Sequence, residues 1–289
     1  MALSASTGSA FNDPEKAMLS HFGIGELSIT DIEKCEANFM LQAFKDKVKA
    51  KLHNQFLHAA KDIDSARQFR AVQDSSEFVD EHMKMARSHQ DKFALLKTAI
   101  QQIEVKGLCC EFGVYRGETI NFIASLVEGE VHGFDSFEGL PEDWRQGYDK
   151  GAFAVAALPR VRSNVRLHKG WFEDTLPSFR EQHLGPVAFL HLDADLYSST
   201  RTVLDVLGDG IVPGTVIAFD EFFNYPGWRE GEYKAFTEFC RDRRVEVCFS
   251  GYVRKDQQVA AKVTGIAPVF VDKVNTMQPR SIEILQASR

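Results

Sequence analysis

From Gly107 onward, short apolar runs alternate with longer polar stretches, and this alternation constrains the fold more than any other feature. Such runs suit strands that are buried on both faces, and the polar stretches suit crossover helices. We therefore predict a doubly wound α/β fold with a mostly parallel sheet of seven strands. The last two lie too close together for a crossover helix, so they form a hairpin and one of them runs antiparallel. The predicted strands are Leu108–Phe112, Val131–Phe134, Val165–His168, Val187–Leu192, Thr215–Phe219, Val245–Phe249 and Gln258–Val263.

The chain before this pattern has a different character. From about Ile29 to Ile103, apolar residues recur at helical spacing, which predicts a helical appendage over 29–103. Residues 1–28 are predicted to be a flexible N-terminal segment, and 104–289 to form the ligand-binding domain. Two roles stay open for the appendage. It is either an oligomer interface or a packing layer, with a homodimer favoured, or it is a lid over the substrate site.

Composition narrows the class of protein. The five cysteines are odd in number and lack metal-ligand spacing, so we expect reduced thiols and a cytoplasmic location. The sequence shows neither a signal-peptide pattern nor an apolar stretch of membrane-spanning length, so no membrane partner is expected. The formal net charge of -7 disfavours nucleic acid as a partner, because it repels phosphates.

The first predicted strand leads into a turn with two glycines and then a helix: Glu111-Phe112-Gly113-Val114-Tyr115-Arg116-Gly117-Glu118-Thr119. Glycines allow a sharp bend and the close approach of a ligand to the helix N-terminus. Any strand-to-helix turn can contain two glycines, so the turn alone is not specific. Tyr115 stands where a dinucleotide-binding turn would have a third glycine, which disfavours NAD.

Two further strand ends carry candidate ligand-binding residues. Asp135 follows the second strand, about twenty residues beyond the glycine turn, where a carboxylate accepts ribose hydroxyls in a nucleotide or in S-adenosylmethionine. Asp135 could instead cap a helix. After the third strand, Trp171 and Phe172 could sandwich a flat base, or they could belong to the core.

Acidic residues follow the fourth and fifth strands: Asp193 and Asp195 after one, Asp220 and Glu221 after the other. If these strands are neighbours, the carboxylates meet in one crevice at the carboxyl ends of the sheet. Their repulsion would raise pKa values unless a cation compensates, and a hard divalent ion such as Mg²⁺ suits oxygen ligands. The alternative is a solvated rim of helix caps.

The aromatic residues that follow this cluster have two readings. Phe222, Phe223, Tyr225 and Trp228 either wall an acceptor pocket or pack in the core. His191, two residues before Asp193, is expected to be buried and hydrogen-bonded.

Taken together, these motifs resemble the macrocin O-methyltransferase family, whose studied members are metal-dependent enzymes that methylate sugar hydroxyls of antibiotics. The resemblance covers roughly Leu95 to Tyr252. It includes the segments at Glu111–Thr119, Asp135–Pro141, Gly170–Pro177 and His191–Thr200, together with Asp220-Glu221.

The resemblance implies a Rossmann-like methyltransferase fold that binds S-adenosylmethionine and Mg²⁺. It implies Asp193, Asp220 and Glu221 as metal ligands and Asp193 and Asp195 as catalytic residues, with Asp195 a candidate base. The family's metal-binding members usually have two aspartates where this chain has Asp220-Glu221. The implied cofactor-binding residues are Glu111, Gly113, Tyr115, Gly117, Thr119, Asp135, Ser136, Trp171, Phe172 and Asp193.

The sequence therefore predicts an S-adenosylmethionine-dependent O-methyltransferase acting on a hydroxyl of a small molecule, a sugar or another natural product. One alternative is an NAD-dependent oxidoreductase, although the third glycine and a Tyr-x-x-x-Lys pair are missing. A second alternative is a catalytically silent cofactor-binding scaffold. Metal-assisted hydrolysis is weakened because the histidines show no ligand spacing.

Overall fold

The computed structural model describes residues 42–51 and 61–267. The chain divides into two compact units, residues 1–66 and residues 67–289. In the first unit, residues 42–51 are helical. The predicted flexible segment 1–28 lies outside the described residues, as does part of the predicted appendage.

Helices and strands alternate along most of the described chain. In order they are α1 (Ile63–His82), β1 (Arg87–His89), α2 (Lys92–Ile100), β2 (Leu108–Phe112), α3 (Glu118–Leu126), β3 (Val131–Asp135), β4 (Val165–Lys169), α4 (Phe172–Gln182), β5 (Val187–Leu192), α5 (Tyr197–Leu207), β6 (Ile211–Phe219), α6 (Glu232–Arg243), β7 (Val245–Val253) and β8 (Val259–Ile266).

The strands form one sheet in the order β1-β7-β8-β6-β5-β2-β3-β4. Strand β8 runs antiparallel to both β6 and β7, and the other neighbouring pairs are parallel. The predicted α/β class and the antiparallel hairpin at the end are confirmed. The predicted adjacency of the fourth and fifth strands is also confirmed, because β5 pairs with β6.

The predicted number of seven strands was wrong, since the described sheet has eight. The additional strand is β1, which pairs with β7 at the edge of the sheet. It consists of three residues, Arg87, Ser88 and His89, of which two are exposed. An edge strand this short and polar has no apolar run, so the pattern that revealed the other strands could not reveal it.

Apolar side chains fill both faces of the sheet. On one face, Leu190 and Ile217 pack with apolar residues of α4, α5 and α6. On the other face, Phe189 and Val216 pack with residues of α2 and α3, among them Leu95. Because neighbouring residues of a buried strand point to opposite faces, β5 and β6 are apolar at nearly every position.

Both β1 and α2 lie within the segment 29–103 that was predicted as an appendage. In the structure, α2 contacts β6, β7 and β8. Leu95 and Leu96 of this helix are each 1% exposed. The end of the segment is therefore part of the layer that covers the sheet. Among the described residues, every helix is too short or too polar to cross a lipid bilayer.

Candidate active site

A cavity of about 350 Å³ opens at the carboxyl ends of the central strands. Residues that follow β2, β3, β4, β5 and β6 all contribute to its wall. The structure thus brings most of the predicted site residues to one place. The predicted residues that line the cavity are Gly113, Tyr115, Asp135, Ser136, Trp171, Phe172, Asp193, Asp195, Asp220 and Glu221.

The glycine turn packs directly against the loop that follows β5. Gly113 has a φ of 91°, and a side chain there would overlap the carbonyl oxygen of Asp193. The Asp193 N–H in turn donates to the Phe112 carbonyl at 2.9 Å. Because only glycine combines this backbone angle with such a close approach, Gly113 sets how near the turn lies to the acidic loop.

Asp135 holds the same turn from the other side. One of its carboxylate oxygens accepts the N–H groups of Val114 at 2.8 Å and Tyr115 at 2.7 Å. The other oxygen accepts the Phe137 N–H at 2.6 Å. In the described chain the first helix after Asp135 is α4, so the helix-cap alternative does not apply. Three hydrogen bonds from backbone N–H groups leave further acceptor capacity on the carboxylate. Asp135 also lines the cavity.

The other predicted residues of the turn lie away from the cavity. Glu111 is fully buried, and its Oε1 is 2.8 Å from Nδ1 of His191. Gly117 precedes α3 with a φ of 80°, and Thr119 is buried within that helix. These residues shape and support the turn from behind. His191 is 1% exposed, as expected from the sequence.

The acidic residues converge as the sequence predicted. Two groups of side chains each bring one potential ligand atom per residue within 4.8 Å of one another. The first group is Asp193, Asp195 and Glu221, and the second is His191, Asp193 and Asp220. Within residues 42–51 and 61–267, the buried Asp220 Oδ1 and Glu221 Oε2 have no hydrogen-bond partner. Buried oxygens without donors in a carboxylate-rich set fit a hard divalent cation. Glu221 belongs to the first group and Asp220 to the second, so among the described residues the implied ligands Asp220 and Glu221 meet only through Asp193.

Burial and mutual repulsion change the acidity of these carboxyl groups. Burial, followed by the charges of Asp220 and Asp195, raises the pKa of Asp193 well above its ordinary value. Glu221 is affected in the same direction, since burial and then Asp220 and Asp193 raise its pKa. A cation at this point would stabilise the ionised forms.

The acidity of Asp195 is set by burial and by the nearby guanidinium of Arg145. Burial raises the pKa of Asp195 to about 7, although the nearby Arg145 works in the opposite direction. Its backbone has a φ of 61°, an unusual conformation for a residue other than glycine. A carboxyl group with a pKa near neutrality is suited to taking up a proton at physiological pH.

Lys92 contributes a positive charge that was not predicted. It is the first residue of α2, and Asp91 caps this helix by accepting the Ala94 N–H at 2.9 Å. Its Nζ lies 3.7 Å from Asp220 Oδ1. Burial works to lower the pKa of Lys92, but the charges of the surrounding carboxylates together outweigh it and the net pKa is raised; these are Asp220, Asp193, Glu221 and Glu118. Lys92 lies in the predicted appendage, so no motif marked it.

An aromatic wall with one arginine closes another side of the cavity. The Arg145 guanidinium lies 3.8 Å from the centre of the Trp144 ring, 5.1 Å from that of Tyr148 and 5.0 Å from that of Tyr225. It also donates to Gln257 at 3.3 Å. Trp144, Arg145 and Tyr148 line the cavity, and they come from the long connection between β3 and β4. A sequence motif marked the start of this connection, up to Pro141, but no motif pointed to Trp144, Arg145 or Tyr148.

The aromatic residues after the acidic cluster belong to the core. All are at most 5% exposed, and they pack with Phe78 of α1 and residues of α6. Of the two readings left open by the sequence, the structure supports core packing for Phe222, Phe223, Tyr225 and Trp228.

The order β4-β3-β2-β5-β6, followed by the antiparallel pair β8 and β7, places the cavity where the strand order reverses. This sheet, with its glycine turn and its carboxylates at the strand ends, defines a Rossmann-like methyltransferase fold. The chain belongs to the Macrocin-O-methyltransferase (TylF) family, whose model matches residues 28–250.

Two curated relatives are named as O-methyltransferases. An 8-demethyl-8-(2,3-dimethoxy-alpha-L-rhamnosyl)-tetracenomycin-C 4'-O-methyltransferase from Streptomyces olivaceus is 33% identical, over 41% of this chain and 54% of the relative. A demethyldecarbamoylnovobiocin O-methyltransferase from Streptomyces niveus is 27% identical, over 45% of this chain and 59% of the relative. The chain thus matches somewhat more than half the length of each.

Solved structures with a similar arrangement include the calicheamicin methyltransferase CalS11. It is 22% identical, with a TM-score of 0.47 over 59% of this chain and 77% of CalS11. The O-methyltransferase NovP is 23% identical, with a TM-score of 0.45 over 60% of this chain and 79% of NovP.

Proposed function

We propose that this chain transfers the methyl group of S-adenosylmethionine to a hydroxyl oxygen of a small molecule, a sugar or another natural product. The observation that carries the proposal is the single cavity shared by the glycine turn, Asp135 and the acidic cluster. Membership in the Macrocin-O-methyltransferase family supports the reaction. The two curated relatives are both named as O-methyltransferases, and one name includes a rhamnosyl group, which supports the acceptor class.

In this proposal the cofactor lies along the ends of β2, β3 and β4. The Asp135 carboxylate accepts hydrogen bonds from the ribose hydroxyls, because its three hydrogen bonds from backbone N–H groups leave further acceptor capacity. Trp171 and Phe172 border the adenine, consistent with their position in the cavity wall. Gly113 and Tyr115 would bring the turn close to the cofactor, and Gly113 also packs against Asp193, which lines the same cavity.

Methyl transfer is an in-line displacement in which a C–O bond forms as the C–S bond breaks. The hydroxyl proton must leave and S-adenosylhomocysteine departs as a neutral thioether. The protein mainly aligns the three reacting atoms. Asp195 is placed to accept the proton, because it lines the cavity and its pKa of about 7 lets it act as a base near neutral pH.

In this proposal Asp193, Asp220 and Glu221 would hold a divalent metal ion, and Mg²⁺ is the first candidate. When bound, it supplies a positive charge that lowers the pKa of the acceptor hydroxyl and orients it. Lys92 adds a fixed positive charge beside Asp220. Because Lys92 belongs to the 29–103 segment and lines the cavity, we propose that the end of this segment forms part of the acceptor site.

Ligand binding tests the proposal first. Calorimetry of the full chain should show saturable binding of S-adenosylhomocysteine and none of NAD. A Trp171→Ala variant should bind the cofactor more weakly, whereas Trp228→Phe, a change in the core, should leave its affinity unchanged. Binding of NAD in place of S-adenosylhomocysteine would support the oxidoreductase alternative. Cofactor binding without transfer to any acceptor, in a screen of small-molecule hydroxyls with labelled methyl donor, would support the scaffold alternative.

A further inference from the structure

Glu232 connects the two acidic loops from behind the cavity. It is the first residue of α6, and its side chain is fully buried. Oε1 accepts the Ala194 N–H at 3.3 Å, and Oε2 accepts the Glu221 N–H at 3.1 Å. Ala194 lies between Asp193 and Asp195, so one carboxylate holds the backbone of the β5 loop and of the β6 loop at once.

We infer that Glu232 is a positioning residue that fixes the two acidic loops relative to each other, and thereby the geometry of the candidate metal and base residues. This inference rests on the proposed function for its catalytic consequence. Glu232 acts through the backbone of other residues and lies outside the cavity lining of the described chain. It is therefore not itself a catalytic residue.

Several features favour this role over that of an ordinary helix start. Polar or acidic residues at helix starts are usually exposed, whereas a buried carboxylate is costly unless hydrogen bonds compensate for lost water. Here each oxygen receives an N–H from a different loop, and the N-terminus of α6 adds a favourable dipole. The two hydrogen bonds offset part of the cost of burial, and burial still raises the pKa of Glu232 well above its ordinary value.

The neighbouring residues keep Glu232 in place. The Tyr225 hydroxyl donates to the Glu221 carbonyl at 3.3 Å, so Glu221 is held at its N–H by Glu232 and at its carbonyl by Tyr225. A side chain on Gly231 would collide with that same hydroxyl. Gly231 therefore lets Tyr225 and Glu232 approach the loop together.

Replacing Glu232 by glutamine tests the inference with little change in shape. The glutamine side chain has one acceptor oxygen and one donor NH₂ group, so one of the two loop N–H groups loses its acceptor. The matched control is Glu230→Gln, two residues earlier, where the carboxylate is exposed and pairs with Lys234. Hydrogen exchange of peptides spanning residues 193–196 and 219–222 reports on the loops without requiring any ligand.

We expect Glu232→Gln to speed amide exchange in at least one loop about tenfold or more and to weaken Mn²⁺ binding, measured by electron paramagnetic resonance. It should also lower kcat by roughly 10- to 100-fold. The Kd of S-adenosylhomocysteine should stay within about twofold, because the cofactor contacts are elsewhere. Glu230→Gln should match the wild type throughout.

Unchanged exchange in both loops of Glu232→Gln would overturn the inference, as would loss of cofactor affinity in proportion to kcat, since that would mean general loosening of the fold. Another outcome is that the wild type transfers no methyl group to any acceptor while Glu232→Gln still exchanges its loop amides faster than the wild type does. That result would overturn the proposed function and leave the loop contact established.

Discussion

Nδ1 of His191 lies 2.8 Å from Oε1 of Glu111, and both side chains are buried at the centre of the sheet. The two residues are register partners on the adjacent strands β2 and β5. Nε2 of His191 is 3.9 Å from Oδ1 of Asp220. A continuous polar row therefore runs from behind the glycine turn to the acidic cluster, and Glu111 sets the orientation of the histidine at its centre.

This relationship predicts different costs for two substitutions of Glu111. Glu111→Gln keeps an oxygen that accepts from the histidine, whereas Glu111→Leu leaves the buried Nδ1 without a partner. We expect Glu111→Leu to reduce the free energy of unfolding by about 1–3 kcal/mol more than Glu111→Gln does. Urea denaturation followed by circular dichroism measures both. Equal losses in the two variants would mean that the hydrogen bond contributes little.

Lys92 yields a prediction about metal affinity. Its ammonium group lies 3.7 Å from a candidate metal ligand, so it stabilises the acidic cluster and also repels an incoming cation. Lys92→Met, which removes the charge at similar length, should lower the melting temperature without metal and bind Mg²⁺ roughly tenfold more tightly. Thermal melts across a Mg²⁺ series measure both effects.

The matched control for that experiment is Lys97→Met. Lys97 lies in the last turn of the same helix. Its replacement should leave the Mg²⁺ dependence of the melting temperature as in the wild type. Weaker Mg²⁺ binding in Lys92→Met than in the wild type would contradict the electrostatic account.

A cluster of three histidines predicts how the free energy of unfolding depends on pH. It consists of His132 in β3, His168 in β4 and His183 after α4. Nδ1 of His132 lies 3.2 Å from Nε2 of His168, and His183 is also nearby. Burial, followed by these two neighbours, lowers the pKa of His132 to about 4. Since the unfolded chain binds this proton near pH 6.5, the contribution of His132 to stability is present above pH 6.5 and is lost as the pH falls towards 4.

His132→Phe should reduce this acid sensitivity, because phenylalanine fits the aromatic contacts with Phe179 without binding a proton. The difference in unfolding free energy between variant and wild type should shift in favour of the variant by about 2–3 kcal/mol between pH 6.5 and pH 4. Denaturation series at several pH values measure it. Parallel pH profiles for the two proteins would show that His132 does not titrate in this way.

The aromatic wall predicts a separation of acceptor and cofactor binding. Arg145 packs on Trp144 and lines the cavity, and its charge acts on Asp195, whereas the proposed adenine contacts are Trp171 and Phe172. Arg145→Met should raise the KM of the acceptor about tenfold while the KM of S-adenosylmethionine stays nearly constant. Steady-state kinetics with each substrate varied in turn measures this, and equal increases in both constants would contradict it.

The parts of the fold that the sequence predicted are those with a repeated physical signal. The central strands β5 and β6 were visible because a strand buried on both faces is apolar along most of its length. Strands β4 and β7 are partly exposed, and they were visible from the alternation of apolar and polar residues. The meeting of Asp193 with Asp220 followed from the rule that parallel strands bring their carboxyl ends to one edge. Strand β1 carries no such signal, because Arg87 and Ser88 lie exposed at the edge of the sheet.

The parts of the site that the sequence did not predict depend on contacts between distant segments of the chain. Lys92 reaches Asp220 only because α2 packs on the sheet, and a lysine at the start of a helix is otherwise unremarkable in sequence. Glu232 looks like a common acidic residue at a helix start, and its burial follows from where α6 docks. The hydrogen bonds that Asp135 accepts from backbone N–H groups likewise depend on the path of the glycine turn.

The central claim is that the acidic cluster works together with the cofactor end of the same cavity. Its most direct test is transfer of a labelled methyl group from S-adenosylmethionine to a small-molecule hydroxyl acceptor by the wild type and by Asp193→Asn, with calorimetry of S-adenosylhomocysteine on both proteins. We predict Mg²⁺-stimulated transfer by the wild type, a loss of at least about 100-fold in Asp193→Asn, and retained cofactor binding in that variant. Full transfer by Asp193→Asn in the presence of a chelator would contradict the account.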